Sequence, residues 1–248
     1  TASDLTVVGG TISNFAGSGT NYTALFTPAP NSTSSGAVSV ASGVFTDSAG
    51  NANADGADTN NAISLVVDTA LPTIALSTSK SSLIAGESTT LIFVLSEPST
   101  TFSVSDVTVT GGKLSNFTGS GLAYAATFIP SDNSTANGVI SVSSGVFTDA
   151  SNNANADGSE ANNTLTLAVD TATPTIALST DKTNLIEGDS ATVTFTLSEA
   201  STTFTASDIT ITGGTISNFS GSGTTYTATF TPTPNSTANG VVSVASAV

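Results

Sequence analysis

The sequence of 248 residues contains no cysteine, histidine, methionine or tryptophan. Without cysteine and histidine it has no thiol nucleophile and no imidazole base, and it lacks the usual ligands of zinc and copper. It also cannot form the disulfides that often stabilise secreted domains of this size. We therefore expect a protein that is not an enzyme and whose stability beyond its hydrophobic core has another source.

Positive charge is scarce as well. Three lysines and no arginine face 18 acidic residues, which gives a net charge of −15. Neutralising phosphates requires lysine and arginine, so the composition argues against binding to nucleic acid or to an anionic membrane. No stretch reaches the roughly 20 apolar residues of a transmembrane helix, and we expect no direct membrane insertion.

The most informative positive feature is an internal repeat with a spacing of 102 residues. Asp4, Asp106 and Asp208 lie in three versions of one phrase, SDLTVVGGTISNF, SDVTVTGGKLSNF and SDITITGGTISNF. Laying residues 1–44 over residues 205–248 matches 33 of 44 positions without a gap. Such a chain is an array of one module, and arrays usually span distance or multiply a weak contact.

The repeat divides the chain into three parts. Residues 1–68 form a partial repeat without its N-terminal part, 69–170 a complete repeat, and 171–248 a partial repeat without its last strand. A window taken from a longer polymer explains these bounds more simply than one chain completing the next, because the two partial repeats share most of their length.

Each repeat alternates apolar and hydroxyl residues with a period of two, as half-buried strands do. Turn residues interrupt this pattern every eight to twelve positions, most clearly at Gly111-Gly112 and at Gly119-Ser120-Gly121. The middle repeat therefore predicts seven strands, 73–77, 89–96, 107–110, 113–117, 124–129, 138–146 and 164–169. This rhythm predicts an all-β fold, in which tandem immunoglobulin-like Greek-key sandwiches follow one another end to end.

These residues resemble a known family. The ordered phrases VDT, P-T-I, LSE, SD-[IV]-T and FTD are similar to the bacterial Ig-like repeats in the extender regions of giant secreted adhesins, including repeats-in-toxin and biofilm-associated surface proteins. The resemblance implies an extracellular or cell-surface location, repeats stacked as a stalk, and calcium at or near the junctions. It also implies that the binding domains lie elsewhere on the polypeptide. The chain departs from the family where Asp149-Ala-Ser-Asn-Asn153 lacks the glycine of the usual Asp-Ala-Ala-Gly-Asn turn.

Strand direction predicts where the acidic residues gather. If strands alternate in direction, six carboxylates and no lysine share one end of the middle repeat, where repeats meet. Like charges at this range repel by about 1 kcal/mol per pair in water, so the arrangement favours a bound cation, for which we predict structural Ca²⁺. The six are Asp68, Glu97, Asp106, Asp149, Asp157 and Glu160, and one repeat later Asp170, Glu199 and Asp208 take the places of the first three.

The long loop of each repeat offers a second version of this site. Its oxygen-bearing residues at positions one, three and five, followed by glycine, follow the spacing of a calcium-binding loop. The match is partial, because the glutamate at position twelve is absent and only Asp58 or Glu160 lies near enough to substitute. A solvated turn explains the same residues without an ion. The residues are Asn51, Asn53 and Asp55 in the first repeat and Asn153, Asn155 and Asp157 in the second.

Two classes of function remain. In the first, the chain is a stalk segment that projects a distant binding domain for adhesion or biofilm formation, and its partners are the neighbouring repeats. In the second, the repeats associate laterally into a filament, sheath or surface layer, which their nearly uncharged threonine faces permit. A lectin-like module is a weaker third class, because the copies lack a distinctive loop and Tyr22, Tyr124 and Tyr226 are expected in the core rather than in a sugar site.

Overall fold

The computed structural model describes residues 1–54, 59–157 and 161–246 of the chain. Its regular elements are strands, apart from three single turns of 3-10 helix at Ala2–Asp4, Val104–Asp106 and Ala206–Asp208. No helix in the described part is long and apolar enough to cross a membrane. The strands are β1 (Leu5–Val8), β2 (Gly10–Ser18), β3 (Asn21–Pro28), β4 (Gly36–Val40), β5 (Ala62–Leu65), β6 (Ile74–Thr78), β7 (Ser82–Ile84), β8 (Thr89–Ser99), β9 (Val107–Thr110), β10 (Gly112–Pro130), β11 (Gly138–Val142), β12 (Thr164–Asp170), β13 (Ile176–Thr180), β14 (Ala191–Ser201), β15 (Ile209–Thr212), β16 (Gly214–Pro232) and β17 (Val241–Val244).

The middle repeat is a sandwich of two sheets, as the alternating sequence predicts. One sheet has the order β10-β8-β6 and the other the order β7-β12-β11-β9. Their inner faces share one core, in which Phe93 and Phe128 of the first sheet meet Ile140 and Leu167 of the second, and all four are fully buried. The core is formed by every second residue of each strand, because successive side chains of a strand point to opposite faces.

Aromatic side chains fill the end of this core. The Phe102 ring packs edge-on against Phe117, Tyr124 and Phe147, with ring centroids 5.0 to 5.8 Å apart. The Tyr124 hydroxyl donates a hydrogen bond to the carbonyl oxygen of Ser99 at 2.8 Å. The expected core position of the tyrosine is therefore confirmed here.

The same expectation holds for one of the two other tyrosines. Tyr226 is buried and donates to the Ser201 carbonyl oxygen at 2.6 Å. It is wrong for Tyr22, which is 55% exposed and stacks on Phe15. The described residues of the first repeat contain no strand equivalent to β8, and that is the strand whose Phe93 pairs with Tyr124 in the middle repeat.

Strand β10 doubles back on itself. A Cβ atom placed on Gly112 would lie 2.4 Å from the carbonyl oxygen of Ile129, so the two ends of the strand are adjacent. The turn lies near Gly121, whose φ of +64° favours glycine. Two strands predicted at 113–117 and 124–129 are therefore the arms of one hairpin, which in the first repeat appears as the separate pair β2 and β3.

Two details differ from the prediction. The predicted strand at 138–146 ends at Val142, because the chain turns at Gly145 with a φ of +78° to bring Phe147 into the core. Strand β7 was not predicted, since it has only three residues and is held by parallel pairing with β12, 86 positions later in the chain at Ala168↔Ser82. Such pairing has no local signature in the sequence.

The chain forms two compact units, Thr1–Thr171 and Ala172–Val248. In the first unit, the described residues of the first repeat form the sheet β1-β4-β5 and the hairpin β2-β3, and their large hydrophobic side chains, apart from Val67, stay partly or largely exposed. In the second unit, the sheet β13-β14-β16 lies with β15-β17 around a smaller core that includes Phe195, Tyr226 and Phe230.

Candidate cation site at the first linker

The long loop of the middle repeat is held together by Asn155. Its Oδ1 accepts hydrogen bonds from the backbone N–H groups of Val146 (2.8 Å) and Phe147 (3.1 Å), and its Nδ2 donates to the Ser143 carbonyl oxygen at 2.9 Å. Asn155 is only 1% exposed, so these bonds satisfy a buried side chain. Its amide oxygen therefore binds the loop's own backbone.

Asn53 does the same in the first repeat. Its Oδ1 accepts from the N–H groups of Val44 and Phe45 at 2.9 and 3.1 Å, and its Nδ2 donates to the Ala41 carbonyl oxygen at 2.8 Å. The alternation of asparagines that predicts a calcium-binding loop is thus used, at this position of both repeats, to fix the loop's shape. The loop residues Asp55, Asp58 and Glu160 lie outside the described residues.

Asp149 begins the tight turn of this loop. One carboxylate oxygen accepts from the N–H groups of Ser151 and Asn153, both at 2.8 Å, and the other accepts from the Asn153 side-chain amide at 2.8 Å. Burial raises the pKa of Asp149, but the hydrogen bonds from Asn153 and Ser151 outweigh it and hold the pKa below its ordinary value. Asp149 is therefore ionised although only 4% exposed. Asp47 and Asn51 repeat these bonds in the first repeat.

The linker between the first two repeats is bound on both sides. Asp68 Oδ2 accepts from the Ser151 hydroxyl at 2.8 Å, and its carbonyl oxygen accepts from Asn153 Nδ2 at 3.2 Å. The hydroxyl of the next residue, Thr69, donates a hydrogen bond to the Ala29 carbonyl oxygen at 2.7 Å. The Thr69 N–H donates to the Ser32 carbonyl oxygen at 2.9 Å. Asp68 thus bonds to the second repeat and Thr69 to the first.

Three carboxylates meet at this linker. Oxygens of Asp68, Glu97 and Asp149 lie within 4.8 Å of one another. Two oxygens bound to one Ca²⁺ at 2.3–2.6 Å lie at most about 5 Å apart, so the separation suits a shared cation. They come from the linker, from β8 and from the long loop, which only the fold brings together.

The electrostatics of the cluster are unbalanced. Burial raises the pKa of Glu97, and the charges of Asp68 and Asp149 raise it further. Among the described residues, the ion pairs join the chain's amino terminus to Asp4, Lys80 to Glu87 and Lys182 to Asp189, and none includes a member of the cluster. A divalent cation would supply the missing positive charge.

Three other predicted ligands are not members of this cluster and accept hydrogen bonds from nearby backbone groups. Asp106 caps its own 3-10 turn, where its Oδ2 accepts from the Ser103 N–H at 2.8 Å, and Asp208 does the same with Thr205 at 2.7 Å. Asp157 Oδ1 accepts from the Ile74 N–H at 2.7 Å, which ties the loop to β6. Its Oδ2 is buried and has no hydrogen-bond partner within the described part of the chain.

At the next linker the equivalent acids belong to different units. Asp170 is the exposed last residue of β12 in the first unit, and Glu199 is half-buried in β14 of the second. Thr171, however, repeats the bonds of Thr69 within the first unit. Its hydroxyl donates to the Ser131 carbonyl oxygen at 2.6 Å, and its N–H donates to the Ser134 carbonyl oxygen at 2.9 Å. The recurring Asp-Thr of the VDT phrase marks this role in the sequence, although neither threonine is among the predicted functional residues.

Comparison with known proteins identifies the family. The sequence profile described as "Bacterial Ig-like domain" matches residues 1–64, 68–166 and 170–248, which is nearly the whole chain. The chain therefore belongs to the bacterial Ig-like domain family and carries three tandem copies of its domain. The predicted resemblance to this family and the predicted sandwich fold are confirmed.

Solved structures of two bacterial proteins are similar to this chain at low identity. One is FdeC, described as a broadly conserved Escherichia coli adhesin, with 17% identity and a TM-score of 0.38 over 92% of this chain and 76% of that one. The other is invasin, described as a bacterial integrin-binding protein, with 12% identity and a TM-score of 0.39 over 92% of this chain and 46% of that one. No curated protein sequence matches significantly.

Proposed function

We propose that this chain is a structural extender segment of a large extracellular bacterial adhesin, which holds a distant binding domain away from the cell surface for adhesion or biofilm formation. The observation that carries the proposal is the repetition of one module at a fixed spacing of 102 residues. The loops repeat as well, since Asp47 and Asn53 make the bonds of Asp149 and Asn155. A recognition or catalytic module would need at least one loop of its own.

The linkers support this role. Thr69 and Thr171 make the same four hydrogen bonds to the turn of the preceding repeat, and each of the four distances agrees to within 0.1 Å. A spacer transmits position only if each linker has a defined conformation, and repeated main-chain and hydroxyl contacts provide one. The location that follows from this role is outside the cell, at the surface or secreted.

We further propose that Ca²⁺ binds among Asp68, Glu97 and Asp149. Ca²⁺ takes six to eight oxygen ligands in flexible geometry, which suits carboxylates from three separate segments. The ion would join the linker to β8 and to the long loop, and it would stabilise the folded module by mass action because the unfolded chain does not hold these segments together. In a chain without disulfides this is an independent source of stability.

Thermal unfolding with CaCl₂ and with excess chelator tests the ion site. We expect the melting temperature of the first unit to rise with Ca²⁺ in the wild type and in Asp132→Asn, an exposed acid outside the cluster. We expect the response to disappear in Asp68→Asn. A full Ca²⁺ response in Asp68→Asn would place the ion elsewhere, and no response in the wild type would remove calcium from the proposal.

Small-angle X-ray scattering tests the extender itself. A protein of three complete repeats should scatter as a monomer whose maximum dimension grows with each added repeat. Chelation should broaden its distance distribution if Ca²⁺ stiffens the linkers, and an unchanged profile would indicate an array independent of cations. A cross-section that increases with concentration would contradict the isolated stalk.

Lateral self-association is the second candidate, favoured by one surface of the middle repeat. Ile92 and Val94 are 38% and 48% exposed on the outer face of β8, opposite Ala125 and Ala123 of β10. In the third repeat the equivalent positions are Thr194, Thr196, Thr227 and Thr225. Analytical ultracentrifugation checks whether this apolar patch joins chains, because the double variant Ile92→Thr, Val94→Thr should then dissociate the oligomer.

A further inference from the structure

The outer edge of β6 in the middle repeat is closed by the long loop. Within the described part of the chain, β6 is the last strand of the sheet β10-β8-β6 and pairs with β8 alone. The Ser96 N–H donates to the Thr73 carbonyl oxygen at 3.0 Å, so the backbone groups of Thr73 face β8. Backbone groups of successive residues in a strand point to opposite sides, and those of Pro72, Ile74 and Leu76 therefore point to the edge.

Three hydrogen bonds to the loop occupy this edge. The Ile74 N–H donates to Asp157 Oδ1 at 2.7 Å, and the Leu76 N–H donates to the Asn162 carbonyl oxygen at 2.8 Å. The Pro72 carbonyl oxygen accepts from the N–H group of the residue before Asp157 at 2.9 Å. The loop thus satisfies both outward N–H groups of the strand.

The strand itself has no device against pairing with another chain. Ile74–Thr78 contains no charged residue and no proline, which are the residues that commonly protect the edges of sheets. The opposite edge of the same sheet is the first arm of hairpin β10, and it carries the exposed Lys113. Protection of the β6 edge therefore depends on the loop.

Asp157 fastens the loop less tightly than its position allows. The residue is 4% exposed, and its Oδ2 is buried without a hydrogen-bond partner among the described residues. A buried acceptor without a donor weakens the arrangement that holds it. Asparagine at this place would offer the same acceptor to Ile74, and burying a neutral amide costs less than burying a carboxylate. The closed edge is therefore poised to open.

We propose that the β6 edge is an interaction surface for the β6 edge of a second copy of this chain, and that the Asp157–Ile74 hydrogen bond keeps it closed. Once this bond opens, the two β6 strands pair antiparallel across a two-fold axis, through the outward groups of Ile74 and Leu76.

Two features of the sequence favour a second copy as the partner. The chain has a net charge of −15, which repels other copies, but the uncharged β6 brings no like charges together. The seven residues 72–78 also recur unchanged at 174–180, so each chain carries the pairing sequence more than once. This contact is separate from the apolar face of β8, and it requires neither calcium nor the extender role.

Two substitutions at one position test the proposal on the full chain. Asp157→Ala removes the acceptor of the Ile74 N–H, and it should lower the dimer dissociation constant at least about tenfold in sedimentation experiments, because it opens the edge. Asp157→Asn is the matched control, which keeps the acceptor and should associate no more than the wild type. An Asp157→Ala protein that associates no more than the wild type, with its circular dichroism unchanged, overturns the proposal. Equal dimerisation of the two variants overturns it as well.

Disulfide trapping locates the contact, because the chain has no cysteine of its own. Residues that face each other in an antiparallel pair lie about 4.5–5.5 Å apart, which is within the reach of a disulfide. Ala75→Cys in the Asp157→Ala background should therefore give a covalent dimer on oxidation, also when Ile92→Thr and Val94→Thr are added. Lys113→Cys in the same background should not. No covalent dimer through position 75, or equal yields at both positions, would contradict pairing at β6.

Hydrogen exchange on the wild type decides the question if Asp157→Ala does not fold. The Ile74 amide should exchange at least about tenfold faster than the Ser96 amide, because a local opening of the loop frees the first and leaves the second bonded inside the sheet. Equal protection of the two amides would show that the edge opens only when the whole module unfolds, and would overturn the proposal.

Discussion

At the scale of single residues, polar side chains of the long loop carry much of the local order. Asn155 and Asp149 together accept or donate six hydrogen bonds within residues 143–155. Each bond saturates a backbone group or an amide that the turn would otherwise leave unpaired. The loop therefore has a fixed shape before any ion binds, and this shape is what places the Asp149 carboxylate beside Asp68.

Asn155→Ala should strongly destabilise the middle repeat. It leaves the N–H groups of Val146 and Phe147 without partners in a buried place, which costs about 2–4 kcal/mol of unfolding free energy. Urea unfolding followed by fluorescence of the core tyrosine measures it. Asn53→Ala is the matched control, expected to cost less because Asn53 lies in the first repeat, whose core is not closed. Equal costs would contradict the role of burial.

Glu97→Gln should have opposite effects with and without cation. Burial and the neighbouring acids raise the Glu97 pKa above its ordinary value of 4.5, so its ionisation costs stability as pH rises through the folded-state pKa. In chelator, Glu97→Gln should therefore melt at a higher temperature than the wild type at pH 7, and the difference should vanish at pH well below 4.5.

In saturating Ca²⁺ the wild type should melt at a higher temperature than Glu97→Gln, because the wild type gains more stability from binding the ion. Glu87→Gln is the control. A hydrogen bond from Lys80 lowers the pKa of Glu87, so this substitution should not raise the melting temperature at pH 7. A Glu97→Gln variant less stable than the wild type in chelator at pH 7 would show that Glu97 ionisation is not unfavourable.

At the scale of elements, hairpin β10 shows how closely the strands approach. The Phe128 ring lies between Gly112 and Gly138, and a Cβ atom on either glycine would come within 2.5–2.6 Å of the ring. The same arrangement surrounds Phe230 with Gly214 and Gly240. In each repeat, the two glycines are thus required by packing against a buried ring rather than by their backbone angles.

Gly112→Ala should therefore destabilise the middle repeat by about 1–3 kcal/mol, the usual cost of overpacking a core. Gly121→Asn is the control. Gly121 has a φ of +64°, which asparagine tolerates, and a Cβ there meets no atom within 4 Å. Differential scanning calorimetry of both variants checks this. A Gly112→Ala protein as stable as the wild type would show that the Phe128 ring can move aside.

The strands that sequence analysis found are those with a long alternating pattern, such as β8 and β12, because burial of one face leaves its period in the sequence. Strand β7 has three residues and depends on a distant partner, so no local pattern marks it. The Ser103-Val-Ser-Asp106 phrase has the spacing of a capping box, which explains Asp106 better than a cation does. The role of Asn155 could not be predicted from the sequence. A loop whose side-chain oxygens bind a cation and a loop whose side-chain oxygens accept from backbone N–H groups have the same residue spacing.

At the scale of the whole molecule, repetition decides which features every repeat has and which features need parts of two repeats. The three family domains carry nearly the same loops, so a feature of one repeat is available to each of the others. The carboxylate cluster depends on a linker and on both β8 and the long loop of the following repeat. The described residues bring these together once, in the middle repeat.

The parallel pairing of β7 with β12 has a mechanical consequence. A pull on the linker at Thr69 and on Thr171 draws these neighbouring strands past each other, because they run in the same direction and are loaded at opposite ends. Their hydrogen bonds then share the load instead of breaking one after another, as they would if β11 and β12 were peeled apart.

Because the chain has no cysteine, introduced single cysteines can attach pulling handles at residues 69 and 171 or at residues 142 and 164. Optical-tweezer pulling should need a higher force through residues 69 and 171 than through residues 142 and 164, and equal forces would contradict the shared loading. A module of this design resists tension along the polypeptide more strongly than tension that peels one strand from the edge of its sheet.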